Sequence, residues 1–119
     1  MPEALVYLGT GGASTDEMTV MRMEDHTPVL AVFIDRAGKA SPVVLLEGAS
    51  AMHGNGVQLL PEQHAVYAFH YNYGGNGKLD HCGGEAYTCN AQTKIFNFNT
   101  TLTKKLTQIT CRQVPKTVE

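Results

Sequence analysis

The chain has 119 residues, a formal net charge of −2, 43% hydrophobic and 17% charged residues. That length suits one domain over 1–119, and the composition excludes a chain that is disordered throughout. The charge argues against nonspecific nucleic-acid binding, which needs a basic face to neutralise phosphates, and no run reaches the ~18 apolar residues of a transmembrane segment.

Short apolar runs separated by turn residues follow one another along the chain. "ALVYLG" (Ala4–Gly9), "MTVMRM" (Met18–Met23), "VLAVFID" (Val29–Asp35) and "PVVLLE" (Pro42–Glu47) come first. "GVQLL" (Gly56–Leu60), "HAVYAFHYNY" (His64–Tyr73), "EAYTC" (Glu85–Cys89), "KIFNFN" (Lys94–Asn99) and "LTQITC" (Leu106–Cys111) complete the set. Each has the length of a strand, is rich in Val, Ile, Phe, Tyr or Thr, and is bounded by Gly, Pro, Asn or Ser. The pattern predicts an all-β fold, an antiparallel β-sandwich of immunoglobulin-like type with little or no helix. The best helical window, Ser50–His64, is broken by "HGNG" and Pro61.

In "HAVYAFHYNY" the alternation puts Tyr67, Phe69, Tyr71 and Tyr73 on one face, with Val66, Ala68 and His70 on the other. The aromatic face is expected to point inward at its middle. The expected core joins Val29–Ile34, Val43–Leu46, Tyr67–Tyr71, Phe96–Phe98 and Ile109. Met18, Met21 and Met23 read as a methionine-bearing core strand rather than a soft-metal site. Acids and bases divide unevenly: residues 1–62 carry eight acids and three bases, residues 63–119 six bases and three acids. This reads as two differently solvated ends of one domain.

The stretch "DHCGGEAYTC" (Asp80–Cys89) gathers two of the three cysteines, a histidine and two acids. A zinc site wants four ligands with close cysteine pairs. Here Cys82 and Cys89 are spaced C-x6-C, Cys111 is distant, and His81 and Cys82 point to opposite sides of an extended chain. Blue copper needs His and Met after the cysteine, and neither follows. A nucleophilic thiol needs a base within reach, and His81 is a neighbour only in sequence. No metal or cofactor is expected. A disulfide among Cys82, Cys89 and Cys111 is the leading reading: either Cys82–Cys89 across "GGEAYT", or a bridge from Cys89 or Cys111 between neighbouring strands.

No Gly-x-Ser-x-Gly elbow is present, and Ser14, Ser41 and Ser50 have no local base. "GTGGAST" (Gly9–Thr15) lacks the lysine of a phosphate-binding P-loop and reads as a plain loop. "NYGGNGKLD" lacks the carboxylates of a calcium loop. "NTT" (Asn99–Thr101) fits a glycosylation sequon, which matters only in a eukaryotic secretory host. No catalytic residues are assigned, and the protein is not expected to be an enzyme. Binding is expected instead on a long loop from Tyr71 to Gly84. There Tyr71 and Tyr73 offer amphipathic anchors, and Asn76, Lys78, Asp80 and His81 offer polar contacts.

"AVFIDRAGKA", then "GVQLLPEQHAVYAFHY", then "YTCNAQTKIFNFN" together resemble PEGA-type β-sandwich domains and kindred short lipoprotein domains of bacterial envelopes. Leu60, Pro61, His64 and Val66 match in order a Pro-turn that launches a long strand. Arg36 follows Asp35, and Glu62 and Gln63 follow Pro61, where those domains carry glycine. The resemblance covers roughly residues 30 to 100 and implies an exported, non-catalytic module of PEGA-like fold. The expected role is therefore a small binding or scaffolding domain of the bacterial cell envelope, periplasmic or secreted, with a protein partner there. The alternative is an exported inhibitor or immunity protein that occludes a partner enzyme or toxin. "MPEALVYLG" shows neither a basic n-region nor a long apolar h-region, so any export signal lies outside this chain.

Overall fold

The computed structural model describes residues 4–10, 15–47 and 53–117. Within them the order is β1 (Ala4–Thr10), β2 (Thr15–Glu24), β3 (Thr27–Leu30), β4 (Phe33–Ile34), β5 (Ala40–Ser41) and β6 (Val44–Glu47). Then come β7 (His53–Leu60), β8 (Ala65–Tyr73), β9 (Leu79–Cys89), β10 (Phe96–Phe98) and α1 (Thr100–Gln113). The chain is mainly β, and the strands form two sheets. In the first, β2 is the spine. It pairs along its length with β1, while β3 and β6 share its other side, β3 against Met21–Glu24 and β6 against Thr15–Met18. The second sheet runs β5-β4-β10-β9-β8-β7. Its pairs are antiparallel except β4 with β10, which run parallel with Phe33 opposite Phe96.

Local chemistry explains the turns. Asp25 and His26 both take positive φ, 47° and 65°, which gives β2–β3 a two-residue turn whose twist matches the flanking strands. Between β4 and β5, Asp35 Oδ1 accepts from the N–H groups of Ala37 (2.9 Å) and Lys39 (2.8 Å), and Gly38 supplies φ +84°. Pro61 opens a single 3₁₀ turn that ends at His64, in the left-handed region at φ 51°. His64 thus does without a side-chain-free residue at a position that favours one.

The core cluster draws on both sheets. Met18, Val20, Ala31 and Val44 meet Phe33, Val66, Ala68, Tyr87 and Phe96, all buried. Phe33 stacks on Phe96 (5.0 Å) and meets Tyr87 edge-on (5.2 Å), so three strands of the second sheet lock through one aromatic group.

Several expectations need correction. "VLAVFID" is not one strand but a crossing between sheets. Ala31 N–H still bonds Val20 of the first sheet, while Val32 C=O accepts from Phe96 N–H in the second. "LTQITC" is helix, and Ile109 is not core but 45% exposed on the outside of α1. The aromatic face of β8 does point inward at Tyr67, which is fully buried. Its register partner Ala86 is hydrogen-bonded to α1, so that face is covered by the helix, and the opposite face, Val66 and Ala68, joins the core between the sheets. The expected loop from Tyr71 to Gly84 is strand on both sides of a short turn, Gly74–Lys78. Of the other expectations, "GTGGAST" falls largely on residues 11–14 and Ser50 on 48–52, both outside the described residues.

Candidate functional site

The site begins where β10 ends. Asn99 N–H makes a last ladder-like bond to Ala86 C=O (2.8 Å), and the Asn99 side chain accepts from Leu102 N–H (2.9 Å), capping α1. Past that point no strand among the described residues lies against the outer side of β9, and α1 takes the place. Thr103 Oγ1 accepts from Ala86 N–H (2.9 Å), the Thr107 and Tyr67 hydroxyls pair at 3.1 Å, and Cys111 is bridged to Cys82. Positions 103, 107 and 111 are four apart and so fall on one side of a helix.

The bridge settles the cysteine alternatives against Cys82–Cys89. Both lie on β9, seven residues apart in an extended strand, which separates them by roughly 23 Å. Cys89 stays outside the bridge, its Sγ 3.7 Å from Asn90 C=O. Packing also dictates Gly84: a Cβ there would lie 2.5 Å from the Tyr67 hydroxyl and 2.6 Å from its ring.

Between β9, α1 and the β4–β5 turn lies a cleft of about 760 Å³. One wall is the backbone of Gly83–Glu85 with the stacked imidazoles of His70 and His81, 4.8 Å apart and 18° from parallel. The helix supplies Lys104 and Thr107, and the turn supplies Asp35 and Arg36. Arg36 lies over the Phe98 ring at 5.0 Å, which holds its charge at the rim. A smaller adjoining cavity of about 400 Å³ shares Asp35 and Glu85 and is lined by Phe33 and Tyr87. Where the two meet, the Tyr87 hydroxyl donates to Glu85 Oε2 (3.2 Å). Burial pushes the Tyr87 phenol well above the ordinary tyrosine value. The charge and hydrogen bond of Glu85 and the charge of Asp35 add to the rise, and Arg36 opposes it.

The six expected binding residues divide. His81 lines the cleft. The other five belong to the far end of the β8–β9 hairpin. Tyr71 and Tyr73 meet edge-on at 5.9 Å, and the Tyr73 hydroxyl donates to Pro115 C=O (2.7 Å). Asn76 Oδ1 accepts from Lys78 N–H (3.0 Å), fixing the turn. Lys78 bridges to Thr117, and Asp80 is the exposed extra residue of a bulge, since Asn72 pairs with His81 and Tyr73 with Leu79. These contacts clamp the C-terminal segment to the hairpin.

Asp35, Arg36, Glu85, Lys104 and Thr107 were not anticipated. Nothing local in the sequence links the Asp35–Gly38 turn to Glu85 or to the helix. The arrangement offers two cations, two carboxylates and two imidazoles around a walled cleft, a set suited to holding a polar ligand by hydrogen bonds and charge. Among the described residues no three His, Cys, Asp or Glu side chains converge as metal ligands, and no described helix is long and apolar enough to cross a membrane. No family model, curated protein or solved structure matches this chain.

Proposed function

We propose that this is an exported, non-catalytic binding domain of the bacterial cell envelope whose ligand seats in the cleft between β9, α1 and the β4–β5 turn. The observation that carries the reading is the Cys82–Cys111 bridge, which fastens α1 beside the cleft. Such bridges persist in oxidising compartments and are rare in the cytosol, and a fixed wall lowers the ordering cost of binding. The core shared between two sheets supports a sandwich-type frame. The alternative, an exported inhibitor or immunity protein, would present the β8–β9 hairpin, whose tip is the short turn Gly74–Lys78.

Two measurements test this. Thiol trapping in a bacterial host that directs the chain to the periplasm should find Cys82 and Cys111 oxidised, and the same chain kept in the cytosol should lose thermal stability. Equal stability in both would remove the argument for export. A fragment screen read by amide NMR should move the signals of 35–37, 81–85 and 103–108 together, with hits lost in Arg36→Ala and His81→Ala. Hits confined to another surface would overturn the choice of cleft.

A further inference from the structure

The edge of the second sheet formed by β7 has no strand paired to it among the described residues. β7 pairs with β8 from His53 opposite Asn72 to Leu60 opposite Ala65 with no break in register. Which of its backbone groups face outward follows from the ladder. Cys89 N–H bonds His64 C=O, so even-numbered positions of β8 face β9 and odd-numbered positions face β7. Opposite those odd positions stand Gly54, Gly56, Gln58 and Leu60. The N–H and C=O groups of Asn55, Val57 and Leu59 therefore turn away from the sheet.

Among the described residues three other edges are blunted in recognised ways, while the seven-residue β1 is also open on one side. β5 has two residues, β3 carries Pro28, and the outer side of β9 is covered by α1. β7 has eight residues, "HGNGVQLL", with no acid, lysine, arginine or proline, and its Leu59 is 48% exposed.

We propose that β7 pairs antiparallel with β7 of a second copy of this chain, joining the six-stranded sheets of two molecules into one. The second copy fits because the strand is its own complement. Centred on Val57, a two-fold pairing sets Val57 against its counterpart and Asn55 against Leu59, and each of these pairs exchanges both hydrogen bonds. No like charges meet anywhere along the seam. The cleft lies across β8 from this edge and stays open in the dimer. An edge-to-edge seam buries less than a standard interface, so association is weak and concentration-dependent.

The test uses the whole chain. Sedimentation from low micromolar to millimolar protein should show mass rising toward twice the monomer. In hydrogen exchange, the amides of Asn55, Val57 and Leu59 should be fast in dilute protein and slow in concentrated protein, while those of Gly56 and Gln58 stay slow in both. Leu59→Pro removes an outward N–H without touching the β8 ladder, and Leu59→Lys puts a charge on the seam. Both should stay monomeric with wild-type melting curves, and if the proline variant fails to fold, the lysine variant decides. A wild type that remains monomeric at millimolar concentration overturns the proposal. So does a dimer that survives in a folded Leu59→Lys, which would direct attention to the other long edge strand, β1.

Discussion

The two faces of the six-stranded sheet are held by different physics. On one, Phe33, Val66, Ala68, Tyr87 and Phe96 pack against the first sheet with only their rings and methyl groups. On the other, α1 is attached by a threonine hydroxyl to a strand N–H, a hydroxyl pair and one covalent bond, and Thr103 is the buried residue of the helix. Apolar packing is nondirectional and sums over many small contacts. The helix face also buries Tyr67, but it adds a few groups, each specific in geometry, and one of them depends on the redox state of its surroundings. The same sheet thus has one side held by side-chain packing alone and one that adds a few bonds specific to single atoms.

The largest effect that separates the faces should come from Phe96→Ala, which opens the aromatic group beneath both sheets and should cost about 3–5 kcal/mol in urea denaturation. Phe69→Ala, on the helix side and only partly buried, should cost clearly less. The reverse order would mean that the principal core lies under α1. Next is the bridge. Replacing Cys82 and Cys111 by serine should cost about 2–4 kcal/mol, and reductant should lower the wild type by a similar amount while leaving the double variant unchanged. Phe96→Ala should add to this loss, because the two faces share no partners.

A smaller change sharpens the picture. Thr103→Val keeps the shape but leaves the Ala86 N–H without its acceptor, a loss of about 1–3 kcal/mol, and Thr103→Ser should restore most of it. If valine is tolerated as well as serine, the helix is held by packing after all. Smallest at neutral pH is Tyr87→Phe, which removes the hydrogen bond to Glu85 at about 1 kcal/mol. Its interest lies in alkali. The folded phenol holds its proton more tightly than the unfolded one, so this stabilisation is complete below the ordinary tyrosine value of about 10 and is lost as pH rises above it. Stability measured at about pH 8 and about pH 11 should fall more steeply in the wild type than in Tyr87→Phe. Parallel curves would place the alkaline loss elsewhere.

Strand positions were largely legible in the sequence. β1, β2 and β8 fall where period-two alternation and flanking turn residues put them, since those signals are local. The crossing at Ala31–Val32 was not legible, because an apolar run looks the same whether it stays in one sheet or changes sheets. The helix was missed for a different reason. Thr100, Thr101, Thr103, Thr107, Ile109 and Thr110 favour strands by propensity, and tertiary contacts overrode that preference. Two signals did point to it: Asn99 as a capping residue, and Leu102, Leu106 and Ile109 at helical spacing with no glycine or proline between. With the helix unread, the cleft could not be read either, because Lys104 and Thr107 reach it only from α1.

The Cys82–Cys111 bridge also bears on the order of events as the chain matures. In the finished molecule Cys82 and Cys89 are held apart by the extended strand they share, so the wrong pairing is available only to a chain whose β9 has not formed. Cys111 is the last of the three to be synthesised. Until it arrives, an early oxidant meets only the pair that must not join, and β9 formation is what guards against that error. Maturation therefore favours a chain that lays down its hairpin first and meets its oxidant second.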